Sequence, residues 1–417
     1  MEEHKIERAV LAGLNADCFK KEEQATEATL DELEALLETA GGVCVAKVLQ
    51  NRHAPDPHSF LGEGKAQEIR DLAETHDASM VIFDNELSPS QIRALEDLTG
   101  ATVLDRSALI LDIFAQRART AEGRLQVELA QYKYLLPKLS GMGKSMSRLG
   151  GGIGTRGPGE TKLETDRRHI RARIDRLEEE LEQVRKLRAV ERRRRQKNEI
   201  PVVALVGYTN TGKSTLLNRL TGAGIPANNR LFDTLDTTTR QLEVSDRLTV
   251  LLSDTVGFIA KLPHHLVDAF RATLEELSYA DLLIHVIDAA DPDREEHIQV
   301  VDKLIAQLAD PETPVIRCYN KADLVSAEAL PVGPDNVAIS AKTGAGLDTL
   351  YAVMERELCK GRRRASFLLP YSLGGQVEIL HDKARVFRVD YTADGIEIEA
   401  EVDEVQYGRL AQYEIVR

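Results

Sequence analysis

Hydrophobic and polar positions along residues 1–120 alternate between two spacings. Short apolar runs read as strands, and longer stretches with apolar residues three and four positions apart read as helices. The predicted strands are residues 9–11, 42–49, 80–83 and 102–104, and the predicted helices are residues 29–39, 64–76 and 89–98. Because strands alternate with helices, the pattern is typical of a parallel sheet with helical crossovers. We therefore predict a small α/β domain over residues 1–120.

The pattern changes over residues 121–198, where two long amphipathic stretches flank a glycine-rich segment. Residues 122–139 and 160–197 carry apolar side chains at helical spacing, and residues 141–160 read GMGKSMSRLGGGIGTRGPGE. Two such helices most simply form an antiparallel hairpin. We predict this hairpin as the second structural unit of the chain.

The glycine-rich segment is too long for an economical connector, which marks it as functional or disordered. It carries Lys144, Arg148 and Arg156 and no acidic residue before Glu160. A basic loop at the tip of a rigid hairpin suits contact with an RNA backbone. The alternative is an ordinary solvated surface, because the helix that follows also contains the acidic residues 178–180.

Continuous apolar runs recur over residues 199–358 and predict the buried strands of a doubly wound sheet. These runs are residues 202–206, 250–253, 282–287 and 315–319. Over residues 359–417 the runs become short and alternating, at residues 386–389 and 396–400. The last segment is therefore predicted to be a small α+β domain.

The composition of the 417 residues indicates a soluble protein of several domains, since 42% are hydrophobic and 29% are charged. The net charge of −14 argues against indiscriminate binding to nucleic acid. The 4 cysteines are scattered and form no C-x-x-C pair, which favours a reduced compartment over a disulfide framework or a zinc site. No apolar run is long enough to cross a bilayer. We expect a cytoplasmic monomer and leave peripheral membrane association open.

The strand at residues 202–206 leads into a phosphate-binding motif. Gly207 opens the pattern G-x-x-x-x-G-K-[ST], which ends at Gly212, Lys213 and Ser214 before a stretch with helical spacing. Glycines let backbone N–H groups converge on phosphates, and the helix N-terminus adds positive potential. Lys213 is predicted to reach the β- and γ-phosphates, and the Ser214 hydroxyl is predicted to ligate Mg²⁺.

A second phosphate signal follows the run at residues 250–253. Asp254 and Gly257 form a D-x-x-G motif, whose carboxylate holds Mg²⁺ through water and whose glycine N–H senses a γ-phosphate. Many GTPases place a water-orienting glutamine directly after this glycine, but here the residue is Phe258. We therefore expect slow hydrolysis by the protein alone.

The base is predicted from two motifs near the end of this segment. Asn320-Lys321-Ala322-Asp323 follows a strand, and a buried Asp323 carboxylate would accept hydrogen bonds from guanine N1–H and N2–H₂. Adenine offers neither donor, so the motif selects guanine. The backbone N–H of Ala341 in Ser340-Ala341-Lys342 is predicted to meet guanine O6.

These motifs lie within longer segments that resemble the HflX family of GTPases. The segments are residues 150–160 (GGGIGTRGPGE), 163–168 (LETDRR), 207–218 (GYTNTGKSTLLN) and 254–276 (DTVGFIAKLPHHLVDAFRATLEE). The resemblance covers nearly the whole chain. It implies an α/β fold in which a P-loop GTPase domain joins an N-terminal parallel α/β domain, a helical hairpin and a small C-terminal α+β domain. The implied function is GTP hydrolysis on the large ribosomal subunit, with separation of stalled or idle ribosomes.

The motifs and the resemblance together define the expected site and domain boundaries. The expected domains are residues 1–120, 121–198, 199–358 and 359–417. The expected nucleotide contacts are Gly207, Tyr208, Thr209, Asn210, Thr211, Gly212, Lys213, Ser214, Thr215, Phe232, Asp233, Thr234, Leu235, Asp236, Asp254, Thr255, Val256, Gly257, Asn320, Lys321, Ala322, Asp323, Ser340, Ala341 and Lys342. The expected catalytic residues are Lys213, Thr234 and Gly257.

The expected Mg²⁺ ligands are Ser214 and Thr234, with Thr237 and Thr238 as alternatives to Thr234. Asn210 resembles a residue that holds K⁺ in some related GTPases, so K⁺ is a second expected cofactor. Lys144, Arg148 and Arg156 are expected to contact rRNA. Three positions depart from the family pattern. Thr211 and Asp233 replace a usual alanine, and Thr237 stands where proline is common, which leaves the conformation of switch I open.

Two other classes of function compete with a ribosome-associated GTPase. One is an RNA-remodelling NTPase that also uses ATP through its N-terminal half. The other is an RNA-binding scaffold whose GTPase has decayed, which the intact Lys213, Ser214, Asp254 and Gly257 disfavour.

Overall fold

The computed structural model describes residues 6–21, 23–139, 158–197, 200–222, 224, 231–232, 238–246, 248–261, 277–361, 363–402 and 404–415. These residues form three sheets. The predicted α/β fold class is confirmed, because two of the sheets are wholly or mainly parallel and the third is a small antiparallel sheet. The domain boundaries remain predictions. Among the described residues, no helix is long and apolar enough to cross a membrane.

The first sheet is parallel, with the strand order β2-β1-β3-β4. Its strands are β1 (Arg8–Ala16), β2 (Val43–Arg52), β3 (Met80–Phe83) and β4 (Thr102–Asp105), and its helices are α1 (Glu27–Ala40), α2 (Glu63–Thr75), α3 (Pro89–Thr99) and α4 (Arg106–Arg117). Helices α1 and α3 begin at capping boxes, in which the side chains of Thr26 and Ser88 accept from backbone N–H groups three residues on. The predicted alternation of strands and helices is therefore present.

Helix α4 is an element that the sequence pattern did not predict. Leu109, Ile110, Leu111, Ile113 and Phe114 on this helix are all buried. Residues 108–115 form an apolar run that only Asp112 interrupts, and the spacing within such a run does not distinguish a helix from a buried strand. Its beginning is nevertheless marked in the sequence, because Asp105 caps it by accepting from the Ala108 N–H at 3.0 Å.

The two helices of the second segment pack against each other. They are α5 (Ala121–Leu139) and α6 (Pro158–Lys197). Their shared core contains Leu129 on α5 and Ile174, Leu177 and Leu181 on α6. Arg173 also donates to both oxygens of Glu128, at 2.8 and 2.9 Å. A bidentate pair between the helices fixes their register.

The central sheet has the order β10-β9-β8-β5-β7-β6 and is parallel except for the pair β6–β7. Its strands are β5 (Val202–Val206), β6 (Thr238–Ser245), β7 (Leu248–Asp254), β8 (Leu282–Asp288), β9 (Val315–Asn320) and β10 (Asn336–Ala338). Its helices are α7 (Lys213–Thr221), α8 (Arg294–Leu308) and α9 (Leu347–Leu358). Every nucleotide motif lies at the carboxyl end of a strand, where doubly wound sheets hold ligands.

The last segment forms an antiparallel sheet with the order β11-β13-β12. Its strands are β11 (Arg363–Leu369), β12 (Arg385–Thr392) and β13 (Gly395–Val402), and its helices are α10 (Gly374–Lys383) and α11 (Glu404–Leu410). Short 3₁₀ turns lie at Leu277–Tyr279, Ala322–Leu324, Ala327–Ala329, Tyr371–Leu373 and Ala411–Tyr413.

One hydrophobic core joins the first sheet to the central sheet. It contains Leu33 and Leu36 from α1 together with Phe232 and Phe258 from the GTPase segment. The ring of Phe114 on α4 meets the ring of Phe232 edge to face, with centroids 4.7 Å apart. Because this core is shared, the N-terminal domain contacts the loops that surround the phosphate site.

Candidate functional site

The phosphate loop is shaped by two glycines with positive φ. Gly207 has φ 156°, and a Cβ built on it would lie 2.3 Å from the Val286 carbonyl oxygen. Gly212 has φ 93°, and its Cβ would lie 2.3 Å from Asn320 Nδ2. No side chain fits such distances, so the two ends of the motif must be glycine for the loop to close on the neighbouring strands.

Lys213 lies inside this loop with 6% of its surface exposed. Its Nζ donates to the carbonyl oxygens of Gly207 at 3.0 Å and Tyr208 at 2.7 Å. Burial lowers the pKa of Lys213 to about 8, although the Asp254 carboxylate opposes this shift. The Lys213 ammonium group is predicted to bind phosphate, and because burial lowers its pKa, its charge is sensitive to pH.

Ser214 and Asp254 meet where the Mg²⁺ ligands are expected. The Ser214 hydroxyl donates to Asp254 Oδ2 at 2.8 Å, and Asp254 is fully buried. A hydroxyl and a carboxylate are the oxygen ligands that Mg²⁺ prefers, so the donor set fits this ion. P-loop GTPases generally use Mg²⁺ with GTP, where the ion neutralises charge that develops on the phosphates. Thr234 lies outside the described residues.

The base-binding motifs converge on Asn320. Its Nδ2 donates to the Thr211 carbonyl at 2.8 Å and so supports the phosphate loop, while its Oδ1 accepts from the Ala341 N–H at 2.9 Å. This backbone N–H therefore already has a partner, and guanine O6 would have to share it. Lys321, at φ 61°, forms an ion pair with Asp288 at 2.6 Å.

Asp323 differs from the prediction of a buried carboxylate, because its side chain is exposed. A hydrogen bond with the Ser340 side chain holds the pKa of Asp323 below its ordinary value, so the carboxylate is charged near neutral pH. A carboxylate whose predicted partner is a ligand has no protein group to cover it, which is compatible with this exposure. The contact with the base remains a prediction.

The D-x-x-G segment lies directly on the phosphate loop. The Thr209 N–H donates to the Phe258 carbonyl at 2.7 Å, and the Phe258 N–H donates to the Gly207 carbonyl at 3.1 Å. A Cβ built on Gly257 would lie 3.0 Å from both Lys213 Nζ and Thr209 Cα. Glycine therefore allows a close approach that a side chain would crowd, and Phe258 is 2% exposed.

A buried charge cluster links the N-terminal domain to the loops of the GTPase segment. Arg106 is 2% exposed and forms ion pairs with Glu32 and Asp84. Burial would lower the pKa of Arg106, but these two carboxylates outweigh it and raise the pKa. Asp84 also pairs with Lys261, and Tyr208 donates to Glu32. The Tyr208 hydroxyl in turn accepts from the Ala260 N–H at 2.6 Å.

Sequence reasoning did not find this cluster. Its members lie far apart along the chain, and charged residues are read as exposed by default. The sequence nevertheless contains one indication of this cluster, namely the positions of Asp84 directly after β3 and of Arg106 directly after β4. Polar residues at the carboxyl ends of parallel strands commonly face a ligand or a partner domain.

The other expected contacts fall into three groups. Residues near the phosphate loop or the base motifs are Asn210, Thr215, Thr255, Val256, Ala322 and Lys342. Phe232 packs against Phe114, in the core that also contains Tyr208 of the phosphate loop. Residues outside the described part of the chain are Asp233, Thr234, Leu235, Asp236 and Thr237 in switch I, and Lys144, Arg148 and Arg156 in the glycine-rich loop.

We expect nucleotide affinity to fall about tenfold per pH unit above about pH 8, because phosphate binding requires the Lys213 ammonium form. The nucleotide-free protein should show the opposite trend in stability. Its Lys213 pKa lies below the unfolded value of 10.5, so stability rises between about pH 8 and that value. Fluorescent GDP titrations over this range measure the first effect.

The matched control for this titration is Lys213→Arg, whose guanidinium stays protonated. Ionisation of the base affects both proteins equally, so only the difference between their pH profiles reports on Lys213. Identical profiles would contradict the assignment.

Comparison with known proteins agrees with this geometry. Three family models match successive parts of the chain: "GTP-binding GTPase N-terminal" at residues 27–115, "GTP-binding GTPase Middle Region" at 117–195 and "50S ribosome-binding GTPase" at 202–321. GTPase HflX of Caldanaerobacter subterraneus subsp. tengcongensis is 50% identical over 397 residues, which cover 95% of this chain and 91% of that protein. GTPase HflX of Lacrimispora saccharolytica is 46% identical over 408 residues, which cover 97% and 96%.

Among solved structures, a crystal structure of SsGBP in complex with GDP is 25% identical and has a TM-score of 0.48. The match covers 84% of this chain and 98% of that chain. The relatives span nearly all of the sequence, and the family models match successive parts of residues 27–321. The chain therefore belongs to the HflX family of GTPases, binds GTP and GDP, and hydrolyses GTP to GDP and phosphate.

Proposed function

We propose that this GTPase binds the large ribosomal subunit and uses GTP to split or rescue stalled or idle ribosomes. The observation that carries the proposal is the match of residues 202–321 to the 50S ribosome-binding GTPase family. The basic residues Lys144, Arg148 and Arg156 supply a complementary RNA contact. They follow helix α5, which is braced against α6 by the Arg173–Glu128 pair.

We also propose the contacts of the nucleotide site, from the motifs described above. The phosphates contact the loop from Gly207 to Thr215, and the base contacts Asn320 and Asp323. Ser214 and Thr234 hold Mg²⁺, Asp254 supports it, and Asn210 contributes to a K⁺ site. The K⁺ site is proposed from the position of Asn210 in the phosphate loop, where its φ is 60°. The four domains are proposed at residues 1–120, 121–198, 199–358 and 359–417.

The need for a ribosome follows from Phe258. This side chain is apolar and 2% exposed, so it cannot align the attacking water as glutamine does in many GTPases. Phosphoryl transfer depends mainly on positioning and charge stabilisation, so a surface that orders the loops raises the rate. Large ribosomal subunits would supply that surface.

We expect large ribosomal subunits to stimulate GTP turnover about tenfold or more, because ordering alone can supply a large part of the barrier reduction. The Arg148→Ala, Arg156→Ala double variant should bind subunits more weakly and show a flatter salt dependence, with unchanged turnover in their absence. Turnover assays with and without subunits measure the stimulation, and sedimentation with subunits measures the binding. Turnover in potassium salts compared with sodium salts measures the role of K⁺.

The matched control is the Arg70→Ala, Arg409→Ala double variant, which removes two exposed arginines elsewhere. A turnover rate that subunits leave unchanged would contradict the proposal. Parallel assays with ATP distinguish the RNA-remodelling alternative, since ATP hydrolysis that survives Lys213→Ala would indicate a second site.

A further inference from the structure

The Thr209 hydroxyl is buried inside the phosphate loop without a partner. Thr209 is 7% exposed, and its Oγ1 has no hydrogen-bond partner among the residues that the structure describes. Burying a hydroxyl without a hydrogen bond is unfavourable, and such groups in native proteins usually have a role. The neighbouring hydroxyls do not share this property. Thr211 donates to the Tyr208 carbonyl at 3.0 Å and Thr255 donates to the Leu205 carbonyl at 2.7 Å.

The surroundings of Thr209 indicate which ligand atom it meets. The position of a Cβ on Gly257 lies 3.0 Å from Thr209 Cα, from Thr209 Cγ2 and from Lys213 Nζ. In P-loop GTPases the lysine and the D-x-x-G glycine are the groups that contact the terminal phosphate. Thr209 therefore lies at the γ-phosphate end of the cradle and not at the ribose or the base.

We propose that the Thr209 hydroxyl contacts the γ-phosphoryl group of GTP and the attacking water, and so takes over part of the positioning that Phe258 cannot perform. A hydroxyl donates one hydrogen bond and accepts others, so it can donate to a γ-oxygen and accept from the water. Phe258 has neither capacity. This inference rests on the proposed nucleotide site.

Thr209 positions the reactants and ends the reaction unchanged. The water oxygen forms a bond to the γ-phosphorus, while the bond from that phosphorus to the bridging oxygen breaks. The electron pair of the broken bond stays on GDP, and the proton of the water is released to inorganic phosphate or solvent. Because GDP lacks the γ-phosphoryl group, the Thr209 hydroxyl distinguishes GTP from GDP.

The test replaces Thr209 by valine, which keeps the shape and removes the hydroxyl. We expect Thr209→Val to lower kcat for GTP about 100-fold, at the lower end of the range seen when one donor to a developing charge is removed. Affinity for a non-hydrolysable GTP analogue should fall relative to affinity for GDP, and GDP affinity should stay within about twofold because that contact is absent. Thr209→Ser, which restores the hydroxyl, should recover most of the rate.

The control is Thr221→Val at the end of α7, where the hydroxyl donates only to the Leu217 carbonyl at 2.7 Å. Its kcat should equal that of the unchanged protein. The thermal midpoint of nucleotide-free Thr209→Val should not fall, because the lost hydroxyl had no partner.

Wild-type kcat and an unchanged ratio of GTP to GDP affinity in Thr209→Val would overturn the inference. Equal losses of GTP and GDP affinity would also overturn it, because they indicate a distorted loop. These assays use the protein without ribosomes, so they are independent of ribosome stimulation. Undiminished GTP hydrolysis by Lys213→Ala would instead show that the nucleotide site itself is misassigned.

Discussion

Replacement of Arg106 by methionine is expected to destabilise the protein by about 3–5 kcal/mol, the range found when one partner of a buried ion pair is removed. The guanidinium is 2% exposed, and the Asp84 side chain that it contacts at 2.8 Å is fully buried. Methionine fills similar volume but leaves the carboxylates of Asp84 and Glu32 without their shared cation. Lys261 remains near Asp84, and burial lowers the pKa of this lysine, so it compensates only in part.

Equilibrium urea denaturation followed by circular dichroism measures this loss, since the chain has 0 tryptophans for fluorescence. The matched control is Arg70→Met, which breaks an exposed pair with Glu74 and should change stability by less than about 0.5 kcal/mol. The double variant Arg106→Met, Asp84→Asn removes the uncompensated carboxylate and should recover part of the loss. A single variant no less stable than Arg70→Met would show that the cluster contributes little.

Replacement of Asp323 by asparagine is expected to weaken GTP binding about 100-fold, because two charge-assisted hydrogen bonds to guanine are disturbed. Asparagine presents an amide to the N2 side of the base, where xanthine carries a carbonyl. The variant should therefore gain affinity for xanthosine nucleotides. Asp323 is exposed, so its replacement should have little effect on the stability of the nucleotide-free protein. A loss of GTP affinity would therefore report on the contact with the base.

Competition titrations with GTP and xanthosine triphosphate measure this change of preference. Asp335→Asn is the control, since it alters an exposed carboxylate that pairs with Arg356 at 2.7 Å. This control should leave both affinities unchanged. An unchanged GTP affinity in Asp323→Asn would contradict the assignment of Asp323 to the base site.

Much of the fold was predictable from local patterns. The strand Met80–Phe83 follows from a short apolar run, the helix Pro89–Thr99 follows from apolar spacing, and the phosphate loop follows from a motif whose glycines are sterically required. Helix α4 was not predicted because residues 108–115 form an apolar run that only Asp112 interrupts. The spacing within such a run does not distinguish a helix from a buried strand.

The site was predictable as a set of motifs but not as a set of contacts. The motifs that contain Lys213 and Asn320 each follow a strand, so their strand and loop context was visible in the sequence. The contacts of Tyr208 with Glu32 and of Lys261 with Asp84 join residues more than a hundred positions apart, as their separations of 176 and 177 show. Sequence periodicity carries no information on such pairs, nor does it report that the Asp323 side chain is exposed.

The strand order of the first sheet has a consequence for small molecules. The order changes direction between β1 and β3, and the carboxyl end of such a pair is where open α/β sheets usually hold a ligand. Here Asp84, directly after β3, forms an ion pair with Lys261 of the GTPase segment. A side chain of the neighbouring domain therefore occupies the position that a ligand usually takes. A compound that enters this crevice, ATP included, must compete with Lys261. If that contact differs between nucleotide states, the compound and GTP alter each other's affinity by the same factor.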